Sequence, residues 1–408
     1  MLKPPLFLID SYGLIYRSYF AFLTHPLRNN AGRNVSALFG FARTLVGLLD
    51  DGAPGADPAG KPLDGPLKPQ YLAAVFDSRT PTFRHKMYPE YKATRQKAPE
   101  DLHDQVPLVE EFLAGLGVKS LRADGYEADD IIATLAKKCR KEGRQCYVLS
   151  SDKDLLQLVG EGTWEIRPRK SSGSGSGDSG NGQAYELVGP AEVKAEWGVE
   201  PDRVLDLLSL TGDSSDNVPG VKGIGEKTAV KLMARYGSLD GIYKNIAAIE
   251  GAVGRKLAEG KESAYFSRKL ISLEYQVPLP VKGIEEFVLD RLNRSAGAEA
   301  LFRAGVVQVA RKLDRNVGGR NAAEGGEKEG EREAAPAKEA DSGGGTAGGF
   351  SGVSGAPVLA EPSLLGPGTY RTVLDLGELK ALLARGKKQR LIALDFETDS
   401  LDAWNARP

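Results

Sequence analysis

The chain has 408 residues, too many for one ordinary hydrophobic core, so two or more domains are expected. With 54 Lys and Arg against 55 Asp and Glu, the net charge of −1 excludes nucleic-acid binding by bulk charge, and any basic footprint must be local. With 2 Cys and 3 His there is neither a disulfide framework nor a zinc or histidine cluster. No apolar run reaches membrane length, so the expectation is a cytoplasmic protein whose metal ligands are oxygens, which favours Mg²⁺ or Mn²⁺.

In chain order, Leu6-Phe7-Leu8-Ile9 is a short apolar run that ends in Asp10. A helical pattern follows from Ser36 to Leu49, and Gly52 to Pro69 is a Gly- and Pro-rich insertion that reads as a mobile surface loop. Tyr71 to Phe76 is a second apolar run, leading into Asp77. After it, Arg79, Arg84, Lys86, Lys92, Arg95 and Lys97 interleave with Phe83, Tyr88 and Tyr91. Cations beside aromatics suit a single nucleic-acid strand, by backbone neutralisation and base stacking; the plain alternative is a solvated charged loop.

Glu127-Ala128-Asp129-Asp130 opens a helix running to Lys141. Acids in a first turn complement the helix dipole without any further role. Helical spacing places Glu127 and Asp130 on one flank and Asp129 on the other. A third apolar run, Cys146 to Leu149, leads through Ser150 and Ser151 into Asp152 and Asp154. Runs of this kind suit buried parallel strands, and the helices between them indicate an α/β fold with a mainly parallel central sheet. Ligands of such folds gather beyond the carboxyl ends of the strands, where these acids lie.

Ser171 to Gly182 is nearly pure Gly and Ser and reads as a second mobile loop. The α/β core is therefore assigned to 1–185, followed by a helical lobe over 186–313. Asp213 and Asp216 sit in Thr211-Gly212-Asp213-Ser214-Ser215-Asp216-Asn217, either an Asx-turn cluster or, if a helical turn continues, two carboxylates on one face. Gly220-Val221-Lys222-Gly223-Ile224-Gly225-Glu226-Lys227-Thr228-Ala229 misses a P-loop by one residue and has no strand before it. A helix–hairpin–helix over 212–232 fits better: Gly220, Gly223 and Gly225 allow close backbone approach, and the helix start at Lys227 and Thr228, with Lys222, faces a phosphate. Residues 314–365 are charged, Gly-rich and poor in large apolar side chains, and read as a disordered linker. Residues 366–408, ending in Asp395-Phe396-Glu397-Thr398-Asp399 and a short tail, look like the truncated start of another α/β domain.

Two carboxylates about 4 Å apart repel by roughly 4 kcal/mol at an effective dielectric near 20. Net domain stability is only about 5–15 kcal/mol. If the strand-end acids converge, cations must sit among them, and oxygen-only ligands with room for a phosphate describe a two-metal phosphodiesterase site.

These residues together resemble the 5′-nuclease domain of bacterial DNA polymerase I, within the flap endonuclease superfamily, from roughly Leu6 to Leu313. The resemblance rests on the Glu-Ala-Asp-Asp block, Ser151-Asp152-Lys153-Asp154, and Gly212 to Gly220 running into the hairpin. It implies a PIN-like nuclease core and a 5′–3′ exonuclease or flap endonuclease. DNA with 5′ flaps, nicks or RNA primers would be its substrate in replication and repair. Asp10, Asp77, Glu127, Asp129, Asp130 and Asp152 match the family's first metal site, and Asp154, Asp213 and Asp216 its second. Tyr91-Lys92-Ala93-Thr94-Arg95 matches a helical arch, here near 79–105, with Lys92 and Arg95 stabilising charge on the scissile phosphate and Arg84 and Tyr91 contacting substrate. The hairpin would bind K⁺ while gripping duplex. Both soft insertions exceed the family norm. Asp395 to Asp399 is similar to the first motif of the proofreading domain, but its other motifs and the polymerase are missing. A monomeric N-terminal piece of a longer protein, tethered to polymerase domains, is expected. Two other readings stand beside this one: a PIN-type ribonuclease, which would lack the hairpin lobe, and a catalytically inactive DNA-binding scaffold.

Overall fold

The three apolar runs do form strands, each buried on both faces. In this computed structural model, which describes residues 3–169 and 184–318, they are β1 (Lys3–Asp10), β2 (Tyr71–Val75) and β4 (Arg144–Leu149) of a six-stranded sheet. The chain runs β1, α1 (Ser11–Ala21), α2 (Ser36–Asp51), β2, α3 (Phe83–Met87), α4 (Glu100–His103), α5 (Val106–Leu116), β3 (Lys119–Leu121), α6 (Ala128–Lys141), β4, β5 (Thr163–Pro168) and β6 (Tyr185–Val188). Helices α7 (Pro190–Trp197), α8 (Pro201–Thr211), α9 (Glu226–Tyr236), α10 (Leu239–Lys244), α11 (Gly251–Glu259), α12 (Lys261–Ile271), α13 (Arg294–Ala304) and α14 (Val307–Leu313) follow.

Strand order is β3-β2-β1-β4-β5-β6, with β1 to β5 parallel and β6 antiparallel to β5. The period of two sorts side chains between two apolar layers. Phe7 and Ile9, with Tyr147 and Leu149, face α1, α2 and α5; Leu6 and Leu8, with Cys146 and Val148, face α6. From β1 the chain moves to β2 and β3 on one side, then crosses to β4 and β5 on the other. The order therefore reverses between β1 and β4, and the crevice beyond their carboxyl ends is where such a fold receives ligands.

The insertion at 52–69, expected to be mobile, is instead an ordered excursion. Antiparallel bridges join Ala53 to Leu67 and Ala56 to Pro62, and Ala53 and Ala56 are buried. Ala56 donates its N–H to Tyr147 Oη at 3.1 Å, and its carbonyl accepts from Gln145 Nε2 at 2.9 Å. Composition suggested a loop, but small alanines docking on β4 decide the matter. The expected helical arch near 79–105 is also corrected. Its only helices are α3 and α4, of 5 and 4 residues, and Tyr91 to Arg95 lie in consecutive turns with Lys92 at φ 59°.

Helices α7 to α12 form a second apolar core around Leu207, Leu208, Leu232, Ile242, Leu257 and Leu270. Helices α13 and α14 do not join it. Ala298, Leu301, Val309, Ala310 and Leu313 pack in the layer of α2 and α5, so by packing the last part of the lobe expected over 186–313 returns to the α/β core. The return depends on glycine at a helix crossing. A Cβ on Gly115 of α5 would sit 3.0 Å from Ala296 O, and one on Gly297 of α13 would sit 3.1 Å from Leu116 Cδ1. The Gly/Ser stretch at 171–182, the linker beyond 318 and the tail at 366–408 lie outside the described residues. No helix among the described residues is long and apolar enough to cross a membrane.

Candidate metal centre

Three neighbouring strands deliver acids to one edge. Asp10 ends β1 and N-caps α1, accepting from Gly13 N at 3.1 Å through Oδ1 and from Ser150 Oγ at 2.9 Å through Oδ2. A Cβ at position 13 would lie 2.3 Å from Asp10 Oδ2 and would displace that carboxylate. Asp77 follows β2 and accepts the α6 N-terminal amide of Ala128 at 2.8 Å. Asp152 follows β4 and caps the 3₁₀ turn Lys153–Leu158, accepting from Asp154 N at 2.9 Å. With Asp129 from the first turn of α6, these side chains line a cleft of about 470 Å³, which Tyr12, Tyr16, Lys92, Arg95 and His103 complete.

Burial and mutual repulsion act together on these carboxyls. Burial, then the neighbouring Asp77, push Asp10 from the ordinary 3.8 up to about 7. Burial raises Asp77, against the opposing bond from Ala128, and raises Asp129 well above its ordinary range with help from Asp152, Asp10 and Asp77.

A second group adjoins the first. Carboxylate oxygens of Asp154, Asp213 and Asp216 lie within 4.8 Å of one another. Asp154 belongs to the 3₁₀ turn, and Asp213 and Asp216 to the segment between α8 and α9. That segment is not a continued helical turn. Asp213 and Val218 exchange backbone hydrogen bonds of 2.9 and 2.7 Å, closing a tight loop. Its ends touch backbone to backbone: a Cβ on Gly220 would lie 2.3 Å from Gly212 N, and both glycines have positive φ. Asp213 Oδ1 accepts from Ser215 N and Oγ, so the Asx turn anticipated as the plain alternative coexists with the cluster. Asp154 is raised well above its ordinary range by burial and by Asp152. Asp213 is held below its ordinary value, because bonds from Lys153 and Ser215 outweigh its burial.

The donor set of the three-acid group fits a divalent cation. It is all oxygen, as hard cations require. Asp154 Oδ1 is buried without a hydrogen-bond partner, an atom that a cation would satisfy. Burial first, and neighbouring carboxylates second, raise Asp10, Asp77 and Asp129, and a bound positive charge would offset both.

Several expected site residues are placed elsewhere. Asp130 is not available as a ligand. It is fully buried, takes a two-pronged bond from Arg84 at 2.7 and 2.8 Å, and accepts from the amides of Glu127 and Glu274. Arg84 is correspondingly not a substrate contact: it is 2% exposed and also donates to the carbonyls of Leu270 and Ser272. Tyr91 offers no stacking face, being buried with its hydroxyl on Glu127 and Asp216. Glu127 stands between the two groups, accepting from Lys92 Nζ at 2.9 Å as well as from Tyr91. Arg95 donates through Nε and through a second, shorter bond to Asp216 Oδ1, with Lys92 Nζ 3.7 Å from Oδ2. In the hairpin, Gly220 is buried, bonded to Ser267 and Ser263, and so is a structural pivot rather than a surface residue. Lys222, Gly223, Gly225 and Lys227 are exposed, Thr228 is half-buried, and Val221 and Ile224 anchor the loop beneath them.

Tyr12, Tyr16, Ser150 and Lys153 also belong to the site but were not among the expected residues. The spacing of two tyrosines four residues apart directly after Asp10 was the available signal for the first two. For Lys153 the available signal was its place between Asp152 and Asp154.

The raised carboxyls have a thermodynamic consequence. A group whose folded-state pKa exceeds its unfolded value contributes stability that is complete below the unfolded pKa and is lost as pH rises through the folded one. For Asp10 that window runs from 3.8 to about 7 and corresponds to roughly 4 kcal/mol. In divalent-free buffer the melting temperature should therefore fall between pH 5 and pH 8, and millimolar Mg²⁺ should restore it at pH 8. A melt that is flat with pH and indifferent to Mg²⁺ would contradict this.

Comparison with known proteins follows the same division of the chain. Residues 5–198 match the family model described as 5′–3′ exonuclease, N-terminal resolvase-like domain, and residues 199–295 match 5′–3′ exonuclease, C-terminal SAM fold. DNA polymerase I of Treponema pallidum is 44% identical over 310 residues, which are 76% of this chain and 28% of that protein. DNA polymerase I of Borreliella burgdorferi is 31% identical over 98% of this chain and 39% of its own length. The chain thus spans well under half the length of these relatives. Among solved structures, flap endonuclease-1 from Methanococcus jannaschii is 18% identical with a TM-score of 0.48 over 78% of this chain and 94% of that one, too distant to bear on the site.

Proposed function

The chain belongs to the 5′–3′ exonuclease family, and on that premise we propose that it hydrolyses DNA phosphodiesters at 5′ flaps, nicks or RNA primers, using two divalent cations. One observation carries the proposal: a four-acid cleft and a three-acid cluster lie side by side at one sheet edge, joined through Asp152 and Asp154. Asp10, Asp77, Asp129 and Asp152 would hold the first cation, and Asp154, Asp213 and Asp216 the second. Mg²⁺ or Mn²⁺ bound there would supply Lewis acidity toward the phosphate and lower the pKa of the attacking water.

The protein's own groups do the rest. Lys92 and Arg95 line the cleft and now contact Glu127 and Asp216. Turning from those acids to a phosphate, they would offset the charge that develops at the cleaved bond. Burial of Lys92 opposes its charge, but Glu127 and Asp216 outweigh it and keep the ammonium protonated. Exposed Lys222, Gly223, Gly225 and Lys227, with Thr228 at the start of α9, would hold duplex backbone without reading sequence, with K⁺ at the hairpin. The setting proposed is the bacterial cytoplasm, as a monomeric unit tethered to polymerase domains.

A labelled 5′-flap substrate tests this directly. Short 5′ products should appear with Mg²⁺ or Mn²⁺ and vanish with chelator. A flap that is bound but never cut, at any divalent concentration, would leave only the scaffold reading.

A further inference from the structure

We propose that Lys153 is a positioning residue for the second cation group, holding Asp213 of the helical lobe in register with Asp154 of the α/β core. The inference rests on the two-cation reading above and assigns the element that keeps one of its sites assembled.

The second group spans a domain boundary. Asp154 lies in the N-terminal family match, which ends at 198, whereas Asp213 and Asp216 lie in the match that begins at 199. Both segments lie in one compact unit, Met1–Glu329, so packing brings them together, but the like charge of their carboxylates favours separation at the cluster itself. Lys153 Nζ is 2.8 Å from Asp213 Oδ2, while Ser215 N and Oγ hold Oδ1. Three donors from two segments therefore fix this carboxylate, and an ionised carboxylate keeps further lone pairs for a cation.

The other cations at the cluster are differently rooted. Lys92 and Arg95 reach Asp216 from the turns around 91–95 and are the groups that the proposed mechanism turns toward substrate. Lys153 instead belongs to the 3₁₀ turn whose Leu155, Leu156 and Leu158 are buried. Leu156 shares the lobe's apolar cluster with Leu207 and Leu208, so the turn carrying Lys153 is packed into both domains. When Lys92 and Arg95 engage a phosphate, Lys153 remains on Asp213.

Two roles for such a lysine predict opposite signs. A lysine that merely competes with metal would, on removal, let the cation bind more tightly. One that positions a ligand would, on removal, weaken it, on the order of 10-fold or more as for other residues that orient metal ligands. The experiment is calorimetric titration of Mn²⁺ into the whole chain without DNA, for the wild type, Lys153→Ala, Lys153→Met and Lys153→Arg, with melting temperatures measured in parallel. Expected is a wild type that binds two ions. Lys153→Ala and Lys153→Met should bind one of the two ions roughly 10-fold less tightly with the other unchanged, and Lys153→Arg should recover most of the loss. Lys153→Met keeps the packed stem, which separates lost packing from lost charge. Unchanged or tighter binding in both neutral variants, or no recovery with arginine, overturns the inference while leaving the two-cation reading intact. A wild type that binds fewer than two ions overturns both.

Discussion

Asp152→Ala and Asp154→Ala should each reduce cleavage of a 5′ flap by about 10³-fold or more, with binding to the same substrate in Ca²⁺ largely retained. The two substitutions strike different groups. Asp152 lines the four-acid cleft, whereas Asp154 completes the cluster with Asp213 and Asp216. Losing a cation's contribution of several kcal/mol to the transition state costs a factor of ten for each 1.4 kcal/mol or so. The stability effect of Asp152→Ala in divalent-free buffer should be small, because relief of repulsion on Asp10 and Asp129 is offset by loss of the cap on the 3₁₀ turn. Turnover within tenfold of wild type in either variant would remove the assignment of that acid.

Arg84→Ala should destabilise the fold by about 3–5 kcal/mol, the cost of stripping one partner from a buried, hydrogen-bonded ion pair. The guanidinium is almost wholly inaccessible, grips Asp130 with two bonds and ties α3 to the carbonyls of Leu270 and Ser272. Its loss would leave the buried Asp130 without its guanidinium partner in the first turn of α6, which also carries Asp129. Thermal melts should show a drop on the order of 10 °C, and Arg84→Met with Asp130→Leu should recover part of it. A surface role is distinguished by salt dependence. A phosphate contact would lower the salt slope of DNA binding by about 1, whereas the buried arginine should leave it unchanged in the folded fraction. A normal melt with a lowered slope would return Arg84 to the interface.

These two arginine and aspartate cases show where sequence reading succeeds and where it stops. Asp10, Asp77 and Asp152 were identifiable because each ends or follows a short apolar run, and parallel strands present such ends at one edge. Asp154, Asp213 and Asp216 were grouped through resemblance and do converge. Asp130 and Arg84 were misplaced because helical spacing separates Asp130 from Asp129 but does not say which flank meets the cleft and which meets a guanidinium 46 positions away. Similarly, the cations from Arg79 to Lys97 looked uniform along the chain. Folding separates them into a buried strut at Arg84, cleft-lining groups at Lys92 and Arg95, and an exposed pair between Arg79 and Glu110.

Local pattern by itself determined three of the six strands (β1, β2 and β4), the α/β class, the acidic ends and the glycine hairpin, because strand periodicity, helix length and turn chemistry are properties of neighbouring residues. Tertiary structure alone decided which acid faces a cleft and which faces Arg84. It also decided that Ala53 and Ala56 dock on β4, that α13 and α14 return to the α/β layer, and that Lys153 reaches Asp213. Those outcomes depend on burial and on charges brought together from distant segments, and neither quantity exists until the chain has closed on itself.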